Sequence, residues 1–266
     1  MREARALIRS AWLTASSYRV GMVGSLVGLV FVLLPLYFIA GALQPTMQHT
    51  IAAEARQYFG FVVLGAVCFS LASACTTALP TAVDGAIGRG TFEAILGTPA
   101  RLATICSGLM GYGVLWASVR AALLLAVALM LGADVVWGAA PAGLMVVVLT
   151  MLSYVGLGLV FTASVLMFRT AGPLPAVVLT ASMFLGGVYY PASVIPSWIR
   201  GLTSFLPLTY GLRALRRMLL RGESMSAVAP DIAMLSGMTL VSLAAGAALF
   251  YYALQRARRN GNLSSY

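Results

Sequence analysis

Six long apolar runs dominate this sequence, at about residues 20–43, 57–79, 103–131, 142–167, 174–189 and 231–254. A helix rises ~1.5 Å per residue, so about 20 apolar residues cross the ~30 Å hydrocarbon core of a bilayer. In lipid each backbone N–H and C=O must find its partner within the spanning segment, which makes helices the solution for isolated apolar runs. The runs therefore predict an all-α integral membrane protein with six transmembrane helices in a single domain over residues 1–266. Composition agrees. Charged residues are 9% of the chain, against about 25% in a soluble domain, and the mean hydropathy is +0.94.

The few charges are informative. There are 17 basic and 7 acidic residues, a formal balance of +10, and every basic residue is Arg. Without a lysine the chain cannot carry a Walker A lysine or a Schiff base. A basic balance in so apolar a chain points to anionic lipid headgroups. No basic groove with interleaved aromatics lies outside the runs, so no nucleic acid partner is expected. His49 is the only histidine and has no Cys, Asp or Glu cluster around it, so no metal or other cofactor is expected in this chain. Cys68, Cys75 and Cys106 all lie in apolar runs. Cys68 and Cys75 are two turns apart, about 10 Å along a helix axis and too far for a disulfide; they read as small buried hydrophobes.

Residues 2–19 read as an amphipathic interfacial helix. Ala4, Leu7, Ile8, Ala11, Trp12, Ala15 and Tyr18 take one face, and Arg2, Arg5, Arg9 and Arg19 the other. The following run is too long for a signal-peptide core. It carries a Gly24/Gly28 step that permits close helix packing and Pro35, which is expected to kink it. Residues 44–56 read as a short polar loop.

Between the second and third runs, residues 84–99 turn polar and then read as a short two-faced helix. Asp84, Arg89 and Glu93 supply charge, while Ile87, Phe92, Ile95 and Leu96 supply a small apolar face. Arg120 is the one clear ionisable group deep in a run; such a group faces a bundle interior or a wet cavity. Lining a path for an anionic substrate and pairing with a neighbouring helix are both open readings of it. Residues 186–224 lack a clean spanning run, because Pro191, Pro196, Pro207 and Arg200 interrupt them. They read as short re-entrant helices at 190–221, in which Leu208, Leu212, Leu215 and Leu219 take one face and Arg213, Arg216, Arg217 and Arg221 another. Tyr189, Tyr190, Trp198 and Tyr210 suit an aromatic belt or an amphipathic cargo.

With six spans both termini share a side. Placing them inside puts Arg2, Arg5, Arg9, Arg19, Arg89, Arg101, Arg169, Arg256, Arg258 and Arg259 in the cytoplasm. Arg56, Arg200, Arg213, Arg216, Arg217 and Arg221 then lie outside, and the bias has the sign of the positive-inside rule.

Two motifs, taken together and in order, resemble the membrane-spanning permeases of ABC type 2 exporters. The first is RGTFEAILGTPA at 89–100; the second is GVYYPASVIPSWIRGLTSFLPLTYGLRALRRMLL at 187–220. Leu206 departs from the pattern, since relatives often carry Asn there. The resemblance implies a half-transporter in the bacterial cytoplasmic membrane, paired with an identical or sibling permease. It implies two copies of a separate ABC ATPase, which would hold the ATP and Mg. Residues 84–99 would be the cytoplasmic coupling helix, with Asp84, Ile87, Arg89, Thr91, Phe92, Glu93, Ile95 and Leu96 in contact roles and Phe92, Ile95 and Leu96 as anchors. Arg120, Tyr189 and Tyr190 would lie near the substrate pathway. Pro191, Pro196, Trp198, Pro207, Tyr210 and Arg213 would belong to the segment capping the outer mouth. The cargo expected from this family is an amphipathic drug, a lipid, or a lipid-linked or polysaccharide substrate.

Two other classes remain. A secondary carrier or channel would need intramembrane carboxylates or histidine, and no Asp or Glu sits mid-run. A membrane enzyme would need paired carboxylates, a metal set or a nucleophile with its base, and the sequence offers none.

Overall fold

The computed structural model describes residues 19–99, 101–168 and 172–259. The expected interfacial helix at 2–19 therefore lies outside the described residues, Arg19 excepted, as does Arg169. All regular structure among the described residues is helical. Helix α1 runs Arg19–Ile51, α2 Tyr58–Gly88, α3 Phe92–Leu96 and α4 Leu102–Met130. A 3-10 turn at Trp137–Ala139 leads into α5, Ala140–Phe168. Then come α6, Leu174–Leu185, a 3-10 turn at Ala192–Val194, α7, Ser197–Thr203, and α8, Pro207–Leu219. The last helix, α9, runs Met225–Arg259.

Among the described residues, four stretches are long and apolar enough to cross a membrane: Tyr58–Gly88, Leu102–Met130, Trp137–Phe168 and Met225–Ala257. The run expected to be the fifth span is helical only over the 12 residues of α6. At ~1.5 Å per residue that is about 18 Å, short of a full crossing. The polar loop expected at 44–56 is also shorter than its composition suggested, because α1 continues through Pro45 to Ile51. Gln44 explains where the chain turns. Its carboxamide oxygen accepts from the Tyr58 backbone N–H at 2.6 Å, and its Nε2 donates to the Arg56 carbonyl at 3.2 Å. One side chain in α1 thus satisfies an orphan donor at the start of α2.

Lipid tails are as apolar as leucine, so burial alone cannot hold these helices together; close packing and hydrogen bonds must. Helix α2 is the centre, with 72% of its most apolar window buried. Pro80 lacks an N–H and releases the Thr76 carbonyl from the α2 ladder. Gly158 of α5 packs at that point, and a Cβ there would stand 2.7 Å from the Cys75 oxygen and 3.1 Å from that of Thr76. Helices α5 and α9 cross where Gly156 meets Gly246, with no room for a Cβ on either. Next to the crossing the Ser153 and Thr239 hydroxyls hydrogen-bond at 2.6 Å.

Contacts define two ends of the bundle. At one, Gln57 at the start of α2 donates to the Gly132 carbonyl at 3.0 Å, and the Val136 N–H donates to the Leu219 carbonyl at 2.7 Å. At the other, Leu79, Val83 and Ala86 of α2 share an apolar cluster with Leu166 of α5 and with Phe250 and Leu254 of α9.

Candidate functional site

The cluster at the second end holds α3. Helix α2 closes in a Schellman turn, with the Gly90 N–H donating to the Ile87 carbonyl at 2.9 Å and the Thr91 N–H to that of Ala86 at 2.9 Å. Gly90 stands at φ +67°, the left-handed conformation that this turn needs. The chain then makes the single turn of α3, and the Thr98 hydroxyl closes it on the Ile95 carbonyl at 2.7 Å.

Asp84 and Ile87 belong to the last turns of α2, so 84–99 is two helices meeting at a corner and not one segment. Phe92, expected as an anchor of this segment, roots it in the protein itself. It is 2% exposed and fills the protein's own apolar cluster. The physical reason is area: a phenylalanine ring gains more by inserting between α2, α5 and α9 than by waiting at the surface. Ile95 and Leu96 are half-buried against the same cluster. The outward surface is Asp84, Arg89, Thr91, Glu93, Ala94 and residues 97–99. Arg89 and Glu93 do not share a helical face despite their spacing, because Gly90 breaks the register between them. The Arg89 guanidinium instead folds back over Gly85, where a Cβ would stand 3.2 Å from Nη1.

The opposite end is organised by Arg216, which is 1% exposed. Nε and Nη2 donate to the Phe61 carbonyl at 3.2 and 3.0 Å, and Nη2 also to Val188 at 2.9 Å. Nη1 donates to Gly187 at 2.7 Å and pairs with Glu54 Oε2 at 3.3 Å. The five interactions match the five N–H donors of a guanidinium. Its plane lies over the Phe61 ring, 3.3 Å from the centroid. Gly65 makes the approach possible, since a Cβ there would meet Nη2 at 2.8 Å. One side chain therefore ties together the segment after α1, the start of α2, the turn after α6, and α8.

The other two arginines of α8, Arg213 and Arg217, and Arg221 just after it are partly exposed but also matched. Asp231 lies 3.3 Å from Arg213 and 3.4 Å from Arg217, while Glu223 is 2.6 Å from Arg217 and 3.5 Å from Arg221. The hydrogen bond to Glu223 raises the Arg217 pKa above its ordinary value. The expectation of a single arginine face on α8 is thus corrected: Arg216 is internal, and Arg213, Arg217 and Arg221 form an ion-pair network with α9 and its approach.

The third place is a groove of about 340 Å³ between α2 and α4. Ser70, Ser73, Thr77 and Thr81 line one wall and Trp116 and Arg120 the other. The Nε of Arg120 is buried with no hydrogen-bond partner among the described residues.

The sequence model of the family described as ABC-2 type transporter matches residues 2–220. The chain belongs to the ABC-2 type transporter family. It is also similar to Nodulation protein J of Rhizobium leguminosarum bv. trifolii, 28% identical over 167 residues. That match covers 61% of this chain and 62% of the relative, so the chain spans about three fifths of the relative's length. With the family match and four helices able to cross a bilayer, this is a multi-pass membrane protein.

In this ABC-2 chain the expected pathway residues do not converge. Arg120 lines the α2–α4 groove. The Tyr189 carbonyl accepts from the Tyr58 hydroxyl at 3.1 Å, at the Arg216 end, and Tyr190 lines a separate hollow with Pro196 and Ile199. Tyr58 and Ser70 are 12 residues apart on α2, about 18 Å along the axis. Pro191, Pro196 and Pro207 each start a helical turn: Pro191 before the 3-10 turn, Pro196 before α7, and Pro207 at the first position of α8. Trp198 is 81% exposed, and Tyr210 lies under Arg213 with the guanidinium carbon 5.8 Å from the ring centroid.

Sequence reasoning missed the separate role of Arg216. At ~100° per residue it falls nearest the Leu208–Leu212–Leu215–Leu219 stripe, whereas Arg213, Arg217 and Arg221 lie on the far side. That angular offset was the available signal.

Proposed function

We propose that the chain is the transmembrane permease subunit of an ABC exporter. Two such subunits, identical or siblings, form the pathway, and two copies of a separate ABC ATPase supply ATP and Mg and drive it. The single observation that carries this reading is the mounting of α3. Phe92 roots it in the protein, a Schellman turn joins it to α2, and a short turn joins it to α4. Arg89, Thr91, Glu93 and Ala94 face outward. A segment built this way passes a push from outside to two long helices with little loss.

In this reading α3 faces the cytoplasm and the Arg216 hub faces outward, with residues 190–221 capping the mouth. Six crossings are made by α1, α2, α4, α5, α9 and the α6 segment with its following turn, and residues 2–19 lie along the interface. The absence of lysine fits a chain whose energy comes from a partner. The cargo is an amphipathic drug, a lipid, or a lipid-linked or polysaccharide molecule.

The test is reconstitution with the cognate ATPase. Glu93→Arg reverses a charge on the outward surface and is expected to abolish stimulation of ATP hydrolysis while helix content and membrane insertion stay unchanged. Full stimulation by the variant would overturn the coupling role of α3.

A further inference from the structure

We propose that the groove between α2 and α4 binds a phosphate group, with Arg120 as its cation and Ser70 and Ser73 as its neutral donors. At the Arg216 end, Arg213, Arg216, Arg217 and Arg221 are opposed by Glu54, Glu223 and Asp231, and each has a partner within 3.5 Å. Each of those four guanidiniums is thus engaged by a carboxylate of the protein itself. Arg120 differs. It sits ten residues before the end of α4 at Met130, about 15 Å in from that end. No hydrogen bond or ion pair engages it among the described residues, and its Nε is buried.

An unpaired guanidinium at that depth in a membrane helix is costly unless it faces a wet cavity or a counter-anion. The groove supplies the cavity. Ser70, Ser73, Thr77 and Thr81 recur on one face of α2 and line it. Thr77 and Thr81 already donate to the Ser73 and Thr77 carbonyls at 2.9 and 2.7 Å. The hydroxyls of Ser70 and Ser73 make no hydrogen bond among the described residues and remain free to donate. An arginine fork flanked by two hydroxyl donors presents its donors from more than one direction, which suits the three terminal oxygens of a phosphate better than the single plane of a carboxylate. The volume, about 340 Å³, is at the small end of the ~300–1,000 Å³ found for ligand pockets. It holds a headgroup, not a whole amphiphile.

This deepens the transport reading and rests on it for its meaning, but binding is measurable without transport. The full chain, purified in neutral micelles, is titrated with inorganic phosphate, dodecyl phosphate and dodecyl maltoside. Trp116 in the groove wall reports through its fluorescence, identified by its loss in Trp116→Phe. Dodecyl phosphate is expected to saturate the signal and dodecyl maltoside to leave it flat. Arg120→Gln is expected to weaken dodecyl phosphate at least tenfold. Ser70→Ala with Ser73→Ala leaves the charge in place and is expected to weaken it at least threefold. Saturation by inorganic phosphate as well identifies a free oxyanion as sufficient; saturation by dodecyl phosphate alone identifies a lipid headgroup. Unchanged affinity in both variants, equal binding of dodecyl maltoside, or no response to either phosphate probe overturns the proposal. A chain that binds dodecyl phosphate but couples to no ATPase loses the transport reading alone. A coupled chain without phosphate affinity loses the groove alone.

Discussion

At the scale of single residues, Arg216 and Gly90 do the most with the least. Arg216 satisfies three backbone carbonyls and the Glu54 carboxylate at once, in a site that excludes water. Arg216→Leu leaves that carboxylate buried and unpaired, so unfolding in micelles should lose on the order of 3–5 kcal/mol. Arg216→Lys keeps the charge but loses the planar fork and the stack on Phe61, and a melting point between the two is expected. A lysine variant as stable as the parent would show that charge alone matters there. Gly90→Ala forces a Cβ into the left-handed region at a cost of about 1–2 kcal/mol. A thermal melt reads that cost, and no loss would mean that the turn at Gly90 does not hold α3 in place.

At the scale of elements, α3 shows two residues one position apart doing opposite jobs. Phe92 is internal and Glu93 external. Phe92→Ala should therefore cost about 3–5 kcal/mol of stability through the cavity it leaves. Glu93→Arg should stay within about 0.5 kcal/mol, as surface changes do, and act on the partner instead. Comparing the two melts separates the roles; equal losses would contradict the burial of Phe92. The α5–α9 crossing is the second element-scale test. Gly156→Leu has no space against Ser242 and Leu243. The variant is expected to lose monodisperse protein on gel filtration, whereas Gly237→Leu, with open space around its Cβ position, should not.

At the scale of the whole molecule, charge and polarity are distributed unevenly. The ion-paired network gathers at one end, the α3 surface at the other, and a hydroxyl-lined groove lies between them. Much of α9 faces outward as bare apolar surface, with 17% of its window buried. If the groove is wet and the α9 face meets lipid, the two differ in access to a water-soluble reagent. In a cysteine-free background, Ser73→Cys should react with a membrane-impermeant maleimide in intact vesicles, and Leu249→Cys should not. Equal labelling would remove the distinction between the two faces.

The sequence by itself determined that the chain is helical and lives in a membrane, because spanning length and backbone satisfaction in lipid leave no other solution for its apolar runs. It also located the polar break after α2, since charged residues between two apolar runs are a local signal, but not the corner that Gly90 makes within it. The extent of α1 beyond Pro45 and the shortness of α6 were not legible, because where a helix stops depends on contacts between separate segments, such as the hydrogen bonds of Gln44 to Arg56 and Tyr58. The tertiary structure alone decided which way side chains point. Phe92 turned inward because three helices offered it a cluster, and Arg216 turned inward because carbonyls from two distant segments met around it. Among the described residues, Arg120 was left without a partner for the same reason. A guanidinium's partners come from segments far apart in sequence, and only the packing of helices brings them together or fails to.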